Sequence, residues 1–262
     1  MSILSNGITR APAFFIGHGN PMNAVEENAF TNSLKALGRS MEKPKAILVI
    51  SAHWSVPYTA VSIHDEVEEL MYDMYGFPNA LYEVKYPAPN AKFLIPDMQE
   101  LLSSLKVEER SLDHGVWSVL VHLFAKADIP VMQLAINSTL TMQEHFEMGR
   151  KIKSLREHGV MIIGSGNVTH NLRDIRAQRN APIVPWAQEF DTFVKKAIEK
   201  RDYDTLINFQ KKQRYAQMAH PTTEHFIPLL YVAGASFDDD KSRFVYEEIE
   251  HGSLSMRNWL LT

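Results

Sequence analysis

Three short apolar runs constrain this chain more than any other feature. Each is strand-like, each meets turn residues, and each has a histidine close behind it. Ala13-Phe14-Phe15-Ile16 stops at Gly17 and presents His18. Ile47-Leu48-Val49-Ile50-Ser51-Ala52 runs into His53, and Val160-Met161-Ile162-Ile163-Gly164-Ser165-Gly166 leads to His170. Short continuous apolar runs bounded in this way read as buried strands. Histidines just past their outgoing ends sit where open α/β sheets bind ligands. Three of them point to convergence on one site.

Between and after these runs lie stretches of helical spacing: residues 23–38, 91–105, the segment after Asp113-His114-Gly115, 139–158, 185–201, 203–209 and 226–235. Residues 59–63 and 130–136 add strands, and 243–250 suggest a late one. Strands separated by helices predict an α/β fold, with a largely parallel or mixed central sheet flanked by helices. No repeat or linker divides the chain, so one domain over 1–262 is expected. One segment resists assignment. Met71-Tyr72-Asp73-Met74-Tyr75-Gly76-Phe77-Pro78, continuing to Pro89, is too rich in proline and glycine for a regular element and unusually aromatic. It reads either as a lid or binding loop, or as an aromatic loop packed over the sheet.

Composition narrows the chemistry. A length of 262 residues with 45% hydrophobic and 22% charged residues is ordinary for a globular α/β protein. The net charge of −4 carries no long block of one sign, so neither nucleic acid nor a membrane surface is an expected partner. The start of the chain lacks a signal-peptide pattern and no apolar run reaches spanning length, so a cytoplasmic location is expected. Cysteine is absent, which excludes disulfides, thiolate metal sites and cysteine nucleophiles. Any metal must be held by imidazole and carboxylate, and eleven histidines supply the first.

Most of those histidines have a structural explanation. His64, His122, His145, His158 and His251 read as hydrogen-bonded or helix-end residues. His18 and His53 differ because each follows a buried run and precedes a turn, and imidazole is the commonest neutral ligand for zinc, iron and copper. His170 and His225 come next, and Glu224 precedes the latter. His114 fits either a catalytic acid/base or a helix cap. Competing motifs fail: neither Gly164-Ser165-Gly166 nor Gly17-His18-Gly19 continues into a dinucleotide fingerprint, and no phosphate loop or Gly-x-Ser-x-Gly occurs. Spacing favours a metal site and leaves its chemistry open.

Taken in order, several blocks resemble one family. They are Gly17-His18-Gly19-Asn20-Pro21-Met22, Ser51-Ala52-His53-Trp54, Tyr75-Gly76-Phe77-Pro78, Asp113-His114-Gly115-Val116-Trp117, Gly164-Ser165-Gly166-Asn167-Val168-Thr169-His170-Asn171-Leu172-Arg173 and Pro221-Thr222-Thr223-Glu224-His225. Together they are similar to class III extradiol ring-cleavage dioxygenases of the DOPA-dioxygenase type. The resemblance implies a mononuclear site with His18, His53 and His225 as ligands, and His170 as a further ligand or an acid/base. It implies His114 either behind a ligand or facing the substrate, and Tyr72, Tyr75 and Phe77 as candidates for covering the ring. The implied cofactor is one non-haem Fe(II), with Zn(II) able to occupy the same imidazoles, and the implied reactants are a DOPA-like catechol and O2. A zinc hydrolase or a non-catalytic Memo-like metal-binding protein are the alternatives on this scaffold.

Overall fold

The structure, a computed structural model, describes residues 10–64 and 70–262. A mixed six-stranded sheet forms its centre. Its strands are β1 (Ala13–Gly17), β2 (Ala46–Ser51), β3 (Val131–Gln133), β4 (Val160–Gly166), β5 (Ser242–Tyr246) and β6 (Asn258–Leu261). They lie in the order β3-β2-β4-β1-β6-β5. The first four are mutually parallel, whereas β6 runs antiparallel to both β1 and β5.

Both faces of the sheet are covered, which explains why its central strands read as unbroken apolar runs. Alternate residues of β1 enter opposite layers. Phe14 and Ile16 pack with Phe30 and Leu34 of α1 (Ala29–Ser40) and Trp117 and Leu120 of α2 (His114–Leu123). Phe15 packs on the other side with Ile152 of α3 (Met142–Ile152), Phe190 of α4 (Pro185–Glu199) and Leu229 of α5 (Ile227–Gly234). Each such side chain, fully removed from water, contributes about 1.5–3 kcal/mol. The register sets the three strand ends level: Gly17 lies opposite Gly166, and Ser51 opposite Ser165. That alignment brings the segments carrying His18, His53 and His170 to one edge.

Several expected elements take a different form. The helix expected over residues 23–38 is split into a 3-10 turn, Pro21–Ala24, and α1. Asn28 causes the break, because its side chain and that of Thr31 form a reciprocal capping box that starts a new helix. The helix expected to continue to residue 105 ends at Leu101, and Lys106–Glu109 instead pairs with Ala60–Ile63 in a separate two-stranded sheet. The run 130–136 divides into β3 and a short strand, Ile136–Asn137, paired with Ser55–Val56. α3 passes into a 3-10 turn, Lys153–His158, that closes at Gly159 with φ of 83°.

The last strand, β6, was not expected. Four residues are too few to display a period, yet Trp259 and Leu261 enter one core layer and Leu260 the other. Among the described residues, no helix is long and apolar enough to cross a membrane.

Candidate metal centre

His18 follows β1 directly and donates its backbone N–H to the carbonyl of Gly166 at 3.0 Å. Gly17 N–H donates to Asn258 Oδ1 (2.9 Å), and Asn23 Nδ2 donates to the carbonyl of His18 (3.2 Å). His53 sits on the turn after β2. His225 arrives from the far end of the chain, on the turn before α5, and its carbonyl accepts Asn167 N–H at 2.9 Å. Gly166 permits that approach, since a Cβ there would overlap the His225 carbonyl. Gly166→Ala is therefore expected to destabilise the fold by about 1–3 kcal/mol, as overpacking does. Metal affinity should fall with it; titration of the apo-protein alongside thermal melts checks both.

The side chains then converge. One ring nitrogen from each of His18, His53 and His225 lies within 4.8 Å of those of the other two. Their hydrogen bonds fix which nitrogen is free. Ser165 Oγ donates to the carbonyl of Gly115 (2.5 Å), which can only accept, so Ser165 accepts from His18 Nδ1 at 3.0 Å. His53 Nδ1 faces Asp73 Oδ2 at 3.5 Å, and His225 Nδ1 faces Glu224 Oε1 at 3.4 Å. Ser165 and the Glu224 carboxylate accept, so His18 and His225 carry their proton on Nδ1 and turn a bare Nε2 inward; the Asp73 carboxylate beside His53 Nδ1 favours the same tautomer there.

Two observations then fit a bound cation. The Nε2 atoms of His18 and His53 are 3.2 Å apart, and His225 Nε2 is buried without any hydrogen-bond partner. Nitrogens bound to one ion at about 2.0–2.1 Å lie no more than roughly 4 Å apart, which this contact satisfies. Burial, reinforced by neighbouring imidazoles, pushes His18 and His225 well below the usual histidine range. Burial and His114 likewise lower His53 to about 3, against the upward pull of Asp73. Neutral imidazoles are the form that binds metal.

A second group, His53, Asp73 and His114, also lies within ligand distance. It is already satisfied internally. His114 Nδ1 (2.9 Å) and His114 N–H (3.0 Å) both donate to Asp73 Oδ1. Burial raises the Asp73 carboxyl, but hydrogen bonds and charge from His114, with His53 behind, reverse this and hold it at about 2. Asp73 is thus a carboxylate that orients two imidazoles. The rings of His53 and His114 stand 3.8 Å apart.

His170 reaches the same place, its N–H donating to the carbonyl of Ala219 at 2.9 Å. Its ring lies flat on that of His225, with centroids 3.5 Å apart and planes 4° from parallel. It does not belong to the converging set of nitrogens. Burial, partly offset by Glu224, lowers His170 to about 4.

The aromatic segment divides. Tyr72 donates its hydroxyl to the carbonyl of Val84 (2.7 Å) and packs on Trp117, whose ring lies 6.5 Å from that of His114. Phe77 is partly buried against the same core layer, while Tyr75 is 92% exposed. Sequence reasoning missed Asp73 and Ser165. The signal for Asp73 was its standing as the sole acid within residues 71–82 of the aromatic segment. Ser165 follows from strand alternation only once the pairing of β1 and β4 is known.

Comparison with known proteins agrees with this geometry. Residues 10–259 match the model of the catalytic LigB subunit of aromatic ring-opening dioxygenase. The 4,5-DOPA dioxygenase extradiol of Escherichia coli K12 is 41% identical over 255 residues, covering 95% of this chain and 93% of that protein. The Beta vulgaris protein of the same name is 34% identical, covering 95% and 96%. The crystal structure of an uncharacterized Escherichia coli K12 protein superposes with a TM-score of 0.84 at 37% identity, covering 97% of this chain and all of that one. Membership implies an aromatic small molecule and O2 as reactants and a metal site to join them. With the match running almost end to end, the chain belongs to the LigB family of extradiol aromatic ring-opening dioxygenases.

Proposed function

We propose that this enzyme uses Fe(II), held by Nε2 of His18, His53 and His225, to open the ring of a DOPA-like catechol. The observation that carries the reading is the set of three bare, inward-facing Nε2 atoms, each fixed by an acceptor behind its Nδ1. Relatives named 4,5-DOPA dioxygenase extradiol support the choice of substrate class. Imidazole suits iron and zinc alike, and only a redox-active ion serves an oxygenase. Bound by these residues, the ion would supply a Lewis acid for the catechol oxygens and O2 and a route for electrons from ring to oxygen.

The chain's own residues manage the protons and the surroundings. A catechol must lose protons as it binds. His114 keeps its Nδ1 proton on Asp73, which leaves Nε2 to accept one, and the adjacent carboxylate stabilises the imidazolium so formed. His170, stacked beside His225, serves in this reading as the second acid/base, taking the other catechol proton and returning it later in the reaction, and not as a fourth ligand. Tyr72 and Phe77, packed on the core layer that carries Trp117, are the residues that would flank the ring and exclude water, while the exposed Tyr75 would cover it only if substrate binding drew it in. In the overall reaction the ring bond beside one hydroxyl-bearing carbon breaks and both atoms of O2 enter the product. One becomes the aldehyde oxygen and the other joins the new carboxylate.

The test is to load apo-protein anaerobically with Fe(II) or Zn(II) and add a catechol panel, DOPA included, under O2. Iron-loaded protein is expected to take up one O2 per catechol and form a yellow semialdehyde carrying both isotopic oxygens from labelled O2. Zinc-loaded protein should do neither. An absence of oxygen uptake across the panel at full iron occupancy refutes the proposal.

A further inference from the structure

We propose that Asp113 is the positioning residue of this centre, locking the ligand His53 and the acid/base His114 into one rigid unit. The inference rests on the roles just assigned to those two histidines. Asp113 is completely buried and occupies the N-cap of α2, where an aspartate ordinarily accepts from its own helix. Here its side chain makes no capping bond. It turns away toward β2 instead, forgoing the helix capping bond.

What it meets there is the support of His53. Ser51 donates its hydroxyl to Asp113 Oδ1 at 2.6 Å, and Ser51 Oγ accepts the backbone N–H of His53 at 3.2 Å. Arg110 lies 3.5 Å from Asp113 Oδ2 and donates to the carbonyl of His53 at 3.2 Å. Both backbone polar groups of His53 are therefore gripped by side chains that converge on Asp113. Gln133 Nε2 donates to Asp113 Oδ2 (3.1 Å), while its Oε1 accepts Asp113 N–H (3.1 Å), so the pivot itself is held on two sides.

The arrangement closes on itself. His114 is the next residue along the chain, and Asp73 bridges His114 Nδ1 back to His53 Nδ1. The circuit runs Asp113, His114, Asp73, His53, Ser51 and back to Asp113. Replacing the pivot with a neutral amide sets an N–H2 among donors or breaks the Arg110 contact. His53 is then free to shift relative to His114, although neither side chain has been altered. A buried network in which each member holds the next is costly to break at one.

Co(II) binding to the apo-protein, followed by its visible spectrum, tests this. Asp113→Asn is expected to weaken Co(II) by about 10–100-fold and to alter the spectrum, as loss of a partner behind a ligand does. With iron, kcat should fall more than KM rises. His145→Gln, a disruption of the buried His145–Tyr231 hydrogen bond within the helical layer, should lower thermal stability without moving Co(II) affinity. Should Asp113→Asn not fold, Ser51→Ala and Arg110→Gln each remove one arm of the grip and should each weaken Co(II). His53→Ala separates the two levels of the argument: if it retains Co(II), the ligand assignment and this proposal both fail. If His53→Ala loses Co(II) while folded Asp113→Asn, or both arm variants, bind with unchanged affinity and spectrum, the positioning role alone is overturned.

Discussion

His18→Ala is expected to abolish metal binding and, with it, all oxygen-dependent turnover. The His18 ring belongs to the proposed ligand set, with centroids 5.0 Å from His53 and 5.4 Å from His225. Its loss leaves two imidazoles where three converge. The effect should exceed the roughly 10–100-fold that follows from disturbing a residue behind a ligand. The apo-fold should survive. Alanine leaves no buried polar group of its own, and Ser165 keeps its bond to Gly115. The clearest readout is the thermal shift on adding metal. A protein that binds only when folded gains about 2.7 kcal/mol at a hundred times its Kd, and His18→Ala should gain nothing. Stoichiometric iron in the purified variant would remove His18 from the ligand set.

His114→Ala should separate chemistry from metal binding. Full iron content is expected, with kcat reduced about 10²–10⁴-fold, the usual contribution of a positioned acid/base. The direction follows from the geometry: His114 donates its Nδ1–H in a hydrogen bond to Asp73 and reserves the other nitrogen. Asp73→Asn should lose rate and also some affinity, since Asp73 faces both His53 and His114. Measuring metal content and kcat on the same preparations decides the matter. If His114→Ala loses its iron in parallel with activity, His114 is a ligand and not an acid/base.

Much of the frame was legible in one dimension. The runs behind β1, β2 and β4 are continuous because those strands are covered on both faces, so burial itself wrote the pattern. The histidines at their ends were legible because a polar side chain directly after a buried run needs a reason. Capping was less so: Asn28 was absorbed into a helix that it in fact begins, since apolar spacing is blind to a reciprocal side-chain bond. β6 escaped because a four-residue strand borrows its stability from β1 and β5 and carries almost no signal of its own.

By itself, then, the amino-acid sequence determined an α/β frame, a cysteine-free donor set, and a group of histidines at strand ends and one helix start. Only the tertiary structure decided which of them share a centre and in what state. His225 meets His18 because Gly166 lacks a side chain, and the Nε2 atoms converge while Ser165, Asp73 and Glu224 stand behind Nδ1. The physical reason is range. Periodicity records what each residue needs from its own strand or helix, whereas a metal centre is built from register, close packing and hydrogen bonds between residues far apart in the chain.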